Sequence, residues 1–242
     1  TDAVDLAVEA IDDAPIDAVA QPADGRRKRL LVADMESTII ENEMLDELAD
    51  EVGLRAHISA ITARAMNGEL DFEGALRERV GLLKDLEEAA LERTRAKIRI
   101  MPGARALVAT MRQAGAYCAL VSGGFSYYTG FVRSTVGFDM DQANRLEIQD
   151  GRLTGTVAEP ILGRDAKRER LLTLAETHGI PLAATLAVGD GANDLDMLAA
   201  AGLGVAYHAK PVVARSARAR IDHADLTALL YLQGYREDEI QR

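Results

Sequence analysis

The chain has one cysteine, no tryptophan and an aromatic fraction of only 4%. A single cysteine, Cys118, excludes an internal disulfide framework and suits a reducing cytoplasm. Its place in the apolar run Tyr117–Val121 reads as a buried, inert thiol. The shortage of aromatic rings argues against a stacking platform for nucleic-acid bases. Positive charge is also scarce: 28 Lys and Arg against 39 Asp and Glu leave a net charge of −11. That balance disfavours non-specific attraction to nucleic acid or to an anionic membrane, so neither is expected as a partner. Nor does any apolar run approach the length of a membrane span. An anionic substrate would therefore have to meet a local positive centre, supplied by a metal ion or by particular Lys and Arg side chains.

What is present is a core. A hydrophobic fraction of 48% over 242 residues suffices for one large domain, or one core with a smaller insert. Residues 1–25 are acidic and Ala-rich with Pro15 and Pro22, and read as a tail or linker with a short helix over Val4–Ile11. After the basic run Arg26–Arg29, the four apolar residues Leu30–Ala33 read as a strand buried on both faces, as in parallel sheets. From residue 41 to 100 the pattern becomes helical. Met44, Leu45, Leu48 and Val52 form one stripe and Ile58, Ile61, Ala65 and Met66 a second. A third helix, capped by Asp71, follows, and a fourth over Leu86–Ile98. Four helices exceed a single crossover, so 41–100 is expected to be a helical cap inserted into a core formed by 26–40 and 101–242. In that core, strands are expected at Tyr117–Val121, Ala184–Val188 and Gly204–Tyr207, with helices between them and a hairpin turning at Asp150-Gly151. The expected class is α/β: a Rossmann-like, mainly parallel sheet with a small helical cap.

Three of the buried strands end in polar residues: Asp34 and Glu36, Ser122-Gly123-Gly124, and Asp190 with Asn193 and Asp194. Parallel neighbours bring their carboxyl ends together, where open α/β sheets bind ligands. Asp34 and Asp190 offer hard oxygen donors suited to Mg²⁺. Ser122-Gly123-Gly124, read as the opening of a helix, offers a hydroxyl and backbone N–H groups to a phosphate. Lys167, near the start of its own helix, could neutralise such a phosphate. Each feature alone also has an ordinary reading as a turn, a cap or a solvated charge. The four histidines, His57, His178, His208 and His223, are scattered without metal-ligand spacing and read as structural or surface groups.

Taken together, Asp34-Met35-Glu36-Ser37-Thr38, Ser122-Gly123-Gly124, Lys167 and the run Gly189–Asp194 resemble the four ordered motifs of the haloacid dehalogenase superfamily. Glu43–Ala49, Arg64–Phe72, Leu76–Val80 and Ala206–Pro211 are similar, within it, to the phosphoserine phosphatase family. The resemblance implies O-phosphoserine as substrate, serine and phosphate as products, the last step of serine biosynthesis, and Mg²⁺ as cofactor. It implies Asp34 as nucleophile and Glu36 as general acid and base. The metal would be held by Asp34, Asp190 and the backbone carbonyl of Glu36, with Asp194 ordering its waters. Ser122, Gly123, Lys167 and Asn193 would hold phosphoryl oxygens. Glu43 would meet the substrate ammonium and Arg79 its carboxylate, with Met66 and Phe72 shaping the pocket. One departure stands out: the second acid of the first motif is usually Asp, and here it is Glu36. That residue keeps open transfer of the phosphoryl group to an alcohol such as homoserine. A non-catalytic phospho-ligand sensor is the third reading.

Overall fold

Leu30–Ala33 forms β1, and all four side chains are buried. Leu31 and Ala33 belong to one hydrophobic layer and Leu30 and Val32 to the other, so the strand is covered on both faces. That alternation is what a continuous apolar run permits in a parallel sheet. In the structure, a computed structural model that describes residues 14–67 and 69–241, β1 lies at the middle of a six-stranded sheet. The other strands are β2 (Tyr117–Phe125), β3 (Met140–Asn144), β6 (Thr185–Gly189), β7 (Leu203–Tyr207) and β8 (Ala219–Ile221). Their order is β3-β2-β1-β6-β7-β8, with every pairing parallel. The chain builds outward from β1 to β3 and then returns to the other side of β1 at β6. The order reverses there, and ligands bind beyond the carboxyl ends of strands at such a reversal.

After β1, residues 41–100 form four helices: α1 (Met44–Asp50), α2 (Arg55–Met66), α3 (Phe72–Gly81) and α4 (Ala89–Arg95). It leaves and re-enters the core through a short antiparallel neck at Ile40 and Ile100, closed by Glu41 N–H to Arg99 O (2.9 Å) and Met101 N–H to Ile39 O (2.9 Å). The Asp71 carboxylate caps α3 by accepting from Gly74 N–H at 2.7 Å. The hairpin β4 (Leu146–Gln149) and β5 (Arg152–Val157) turns at Asp150 and Gly151, whose φ values of 51° and 71° suit a tight hairpin turn. This hairpin joins the helical side, not the sheet: Leu153 exchanges backbone hydrogen bonds with Asp85 (2.9 Å) and Leu86 (2.8 Å).

The remaining helices are α5 (Ala104–Gln113), α6 (Ser126–Val136), α7 (Arg164–Thr177), α8 (Leu195–Ala200), α9 (Pro211–Ala214) and α10 (Ala228–Leu232). Three sequence expectations need revision. β2 does not stop at Val121 but continues through Ser122-Gly123-Gly124 to Phe125, because the chain pairs again with β3 at Phe125↔Asn144 after a register shift. The edge strands β3 and β8 carry too few apolar residues to declare themselves. Residues 14–24, expected in a tail, lie against the core, where the Asp17 carboxylate accepts from the backbone N–H groups of Asp222 (2.7 Å), His223 (3.2 Å) and Ala224 (2.8 Å). The helix expected over Val4–Ile11 lies outside the described residues. Among the described residues, no helix is long and apolar enough to cross a membrane.

Candidate active site

The last residue of β1 hands over to Asp34, whose N–H is held by Val188 O at 3.0 Å, and β6 hands over to Asp190. Because β1 and β6 are paired in parallel register, the two carboxylates emerge side by side. Asp194 joins them from the short turn after Gly191. Carboxylate oxygens of Asp34, Asp190 and Asp194 lie within 4.8 Å of one another, and all three residues are buried. Lys167, in the first turn of α7, reaches into this cluster. Its Nζ is 2.7 Å from Asp34 Oδ1 and 2.7 Å from Asp194 Oδ1, and the side chain is completely buried. The second oxygen of Asp194 accepts from Gly191 N–H at 3.1 Å.

The charges are unevenly matched. Five acids (Asp34, Glu36, Glu43, Asp190 and Asp194) converge on Lys167, Arg79 and Lys210. Both oxygens of Asp190 are buried and, among the described residues, accept no hydrogen bond; the Lys210 ammonium stands 4.0 Å from one of them. Burial pushes the Asp190 carboxyl well above its ordinary range, and the charges of Glu43, Asp194 and Asp34 push it further. Burial also raises Asp34, to about 7, with Asp194 adding to the shift and Lys167 opposing it. Glu36 rises to about 8 through burial and the nearby Glu43. For Lys167 burial works against the charge, but Asp194 and Asp34 outweigh it and keep the ammonium charged. A buried acid with two orphaned oxygens is costly unless a cation completes it. The donor set fits a metal ion.

Glu36 lies beyond the strand end, with Oε1 accepting from Met44 N–H at 2.9 Å. Its other oxygen lies against Gly124, where a Cβ would come within 2.7 Å of Oε2. Only glycine allows that approach. At the neighbouring Gly123, a Cβ would meet the Phe72 ring at 2.7 Å, so the side chain at the start of α3 closes directly over the β2 end. Ser122 is buried, and its Oγ accepts from Gly124 N–H at 2.9 Å. The Ser122–Gly124 segment is thus extended strand, and α6 begins only at Ser126; the expected helix N-terminus is not at Ser122. The segment still lines the cavity through Gly123 and Gly124.

The cavity is small, about 50 Å³, and is lined by Asp34, Glu36 and Asn193 from the core and by Glu43, Phe72 and Arg79 from the helices. Glu43 accepts from Ser37 Oγ at 2.6 Å. Ser37 holds a left-handed backbone (φ 53°), which costs a non-glycine residue free energy and needs such a fixed contact to persist. Burial raises the Glu43 carboxyl, against the hydrogen bond from Ser37. Arg79 is 7% exposed. The side chain of Met66 lies outside the described residues. The four histidines are exposed, and His208 Nε2 is 3.0 Å from Ala224 O, away from the cavity lining.

The sequence did not reveal the residues that support this arrangement. Asn144, on the edge strand β3, donates to Gly123 O (2.8 Å) and Leu162 O (3.2 Å) and accepts from Leu162 N–H (2.7 Å), tying the glycine segment to the loop before α7. Thr62 contacts both Arg79 and Asp46 and so links three helices. Nothing in local spacing points to either. Ser37 was visible as a hydroxyl beside the first acids, but its partner was not.

Comparison with known proteins agrees with this geometry. A model of the haloacid dehalogenase-like hydrolase family matches residues 31–199. A phosphoserine phosphatase of Streptomyces coelicolor is 45% identical over 216 residues, covering 89% of this chain and 53% of that protein. A phosphoserine phosphatase of Methanocaldococcus jannaschii is 40% identical over 205 residues, covering 85% of this chain and 97% of that protein. A solved substrate-bound phosphoserine phosphatase complex superposes with a TM-score of 0.82 at 40% identity, covering 85% of this chain and 98% of that one. A phospho-aspartyl intermediate analogue of phosphoserine phosphatase gives the same TM-score, 0.82, at the same identity and coverage. The chain spans about half the length of the Streptomyces coelicolor protein. The match over most of its residues, together with the acids and lysine at the reversal of the sheet, shows that the chain belongs to the haloacid dehalogenase-like hydrolase family.

Proposed function

We propose that the chain hydrolyses O-phosphoserine to serine and phosphate, with Asp34 as the nucleophile. The observation that carries this reading is the buried Asp34–Lys167 pair at 2.7 Å, beside a small cavity that Glu43 and Arg79 also line. Asp34 and Lys167 suit a phosphate ester, Glu43 an ammonium and Arg79 a carboxylate. A phosphorylated amino acid carries all three groups. The relatives named phosphoserine phosphatase and the substrate-bound complex support the same choice.

Asp34 attacks phosphorus, and its carboxylate oxygen forms a new P–O bond as the bond to the serine oxygen breaks. Glu36, reaching the cavity past Gly124, gives its proton to that departing oxygen. Water then attacks the phosphorus of the aspartyl-phosphate, losing a proton to Glu36, and phosphate leaves with Asp34 restored. Lys167 is placed to balance charge on the phosphoryl oxygens, which Ser122, Gly123 and Asn193 also hold. Asp34, Asp190 and the backbone carbonyl of Glu36 would hold Mg²⁺, and Asp194, already engaged by Lys167 and Gly191, would order the surrounding water. The ion would neutralise negative charge on the phosphoryl group and on the crowded acids. Glu43 binds the substrate ammonium, Arg79 its carboxylate, and Phe72 shapes the pocket. The helical segment 41–100 acts as a cap that excludes bulk water, and the single buried Cys118 suits work in the cytoplasm.

Phosphate release from O-phospho-L-serine with Mg²⁺, compared with the Asp34→Asn variant and with chelator, tests the assignment. Turnover lost in both controls is the expected result; turnover retained in Asp34→Asn contradicts it. The presence of Glu36 favours one second reading, transfer to an alcohol. Adding homoserine separates the two, because hydrolysis yields free phosphate and transfer yields phosphohomoserine.

A further inference from the structure

Arg79 is held from behind. On α3 its Nε donates to Ala75 O, one turn back, at 3.0 Å, and its Nη1 donates to Thr62 Oγ1 on α2 at 2.9 Å. Among the described residues, Nη2 has no protein partner. A planar group fixed at two nitrogens cannot rotate, so the direction of its third nitrogen is set. Thr62 is 5% exposed and lines the same cavity. Accepting from the guanidinium uses an oxygen lone pair and leaves the hydroxyl proton for Asp46 Oδ1 (3.2 Å) or Ile58 O (3.1 Å). Asp46, on α1, is 9% exposed, and its second oxygen accepts from Ser59 Oγ at 2.6 Å. The three helices therefore meet in one chain of polar contacts, Asp46 to Thr62 to Arg79. A carboxylate buried one hydroxyl away from a buried guanidinium balances its charge without occupying its free edge.

We propose that Thr62 and Asp46 are positioning residues that aim the free edge of Arg79 at the carboxylate of the substrate. They would thereby set the preference for phosphate esters that carry a carboxylate. This rests on the reading that the chain acts on O-phosphoserine. A direct Asp46–Arg79 pair would spend the same nitrogens that recognition needs. The hydroxyl between them prevents it. Without the Thr62 hydroxyl, the guanidinium is free to turn toward Asp46 or Glu43, and the oriented contact with a carboxylate is lost.

The test compares O-phosphoserine with O-phosphoethanolamine, which keeps the phosphate and the ammonium but lacks the carboxylate. The quantity read is the ratio of kcat/KM between the two. Thr62→Val, of similar shape, is expected to lower this ratio about tenfold, mostly through KM for O-phosphoserine. Thr62→Ser restores the hydroxyl and is expected to restore the ratio. Asp46→Asn, which keeps the shape and one acceptor oxygen, is expected to lower it in the same direction and serves if Thr62→Val fails to fold. An unchanged ratio in Thr62→Val or Asp46→Asn, or a Thr62→Ser variant no better than Thr62→Val, overturns the inference, because a merely structural role lowers both substrates alike. A wild-type enzyme that does not turn over O-phosphoserine instead overturns the proposed substrate, and this inference with it.

Discussion

The ammonium of Lys167 lies 2.7 Å from the carboxylate of Asp34, and both side chains are buried. Two opposite charges held this close in a dry site stabilise each other only as a set. Removing one leaves the other desolvated and alone. Lys167→Met is therefore expected to destabilise the protein by about 3–5 kcal/mol and to reduce turnover by at least ~10³-fold. Denaturant unfolding and a phosphate-release assay check the two halves separately. A variant as stable as the wild type would show that Asp34 and Asp194 do not depend on this cation.

Asp190 gives the opposite sign. Its two oxygens accept no hydrogen bond among the described residues, and three other acids stand close by. Asp190→Asn removes a buried charge that Lys210, 4.0 Å away, offsets only in part. In chelator the variant is expected to melt higher than the wild type, by about 1–2 kcal/mol of stability. With metal present, the order is expected to reverse, because the wild type alone gains tight binding. A variant that melts lower in chelator contradicts this account of the acid cluster.

Gly124 and Glu36 are matched in size. A Cβ at position 124 would approach Glu36 Oε2 to 2.7 Å, so Gly124→Ala is expected to displace that carboxylate. A shift of this kind costs about 100-fold in kcat when the group handles protons. Circular dichroism and melting should show the fold retained. Normal kcat in Gly124→Ala would remove Glu36 from the reaction.

Asp17 offers a pH-dependent prediction away from the acids of the site. Burial works against its charge, but the backbone N–H groups of Asp222, Ala224 and His223, with the charge of His223, lower its pKa below the ordinary 3.8. A carboxyl with a depressed folded-state pKa contributes stability above its unfolded value, and that stability is lost as pH falls through the folded value. Asp17→Asn is expected to cost about 1 kcal/mol at pH 7, a figure reduced by solvent screening at this partly exposed position. The difference from the wild type should shrink as pH falls below about 4. An equal deficit at pH 7 and pH 3 would mean that charge has no part in the clasp.

What the sequence made legible was local. Leu30–Ala33 declared a buried strand because four apolar residues in a row need cover on both faces. Asp34, Ser122 and Asp190 drew attention because each interrupts such a run, and the strand order β2-β1-β6 puts them on, or just beyond, neighbouring strands. Ser122-Gly123-Gly124 misled in one respect: glycines after a strand suggest a turn into a helix, but pairing of Phe125 with Asn144 keeps the backbone extended. β3 stayed hidden because its sequence, Met140–Asn144, is polar at a sheet edge. The supports of Arg79 were beyond reach. Asp46, Thr62 and Arg79 lie 16 and 17 residues apart in sequence, and only the packing of three helices makes them neighbours.

The most direct measurement is to quench the protein in acid during turnover of O-phospho-L-serine and locate the phosphoryl group by mass spectrometry. The account predicts a phosphoryl group on the peptide containing Asp34, absent from Asp34→Asn, which releases no phosphate. A phosphoryl group on a different residue, or phosphate release by Asp34→Asn, would contradict the assignment of Asp34 as the nucleophile.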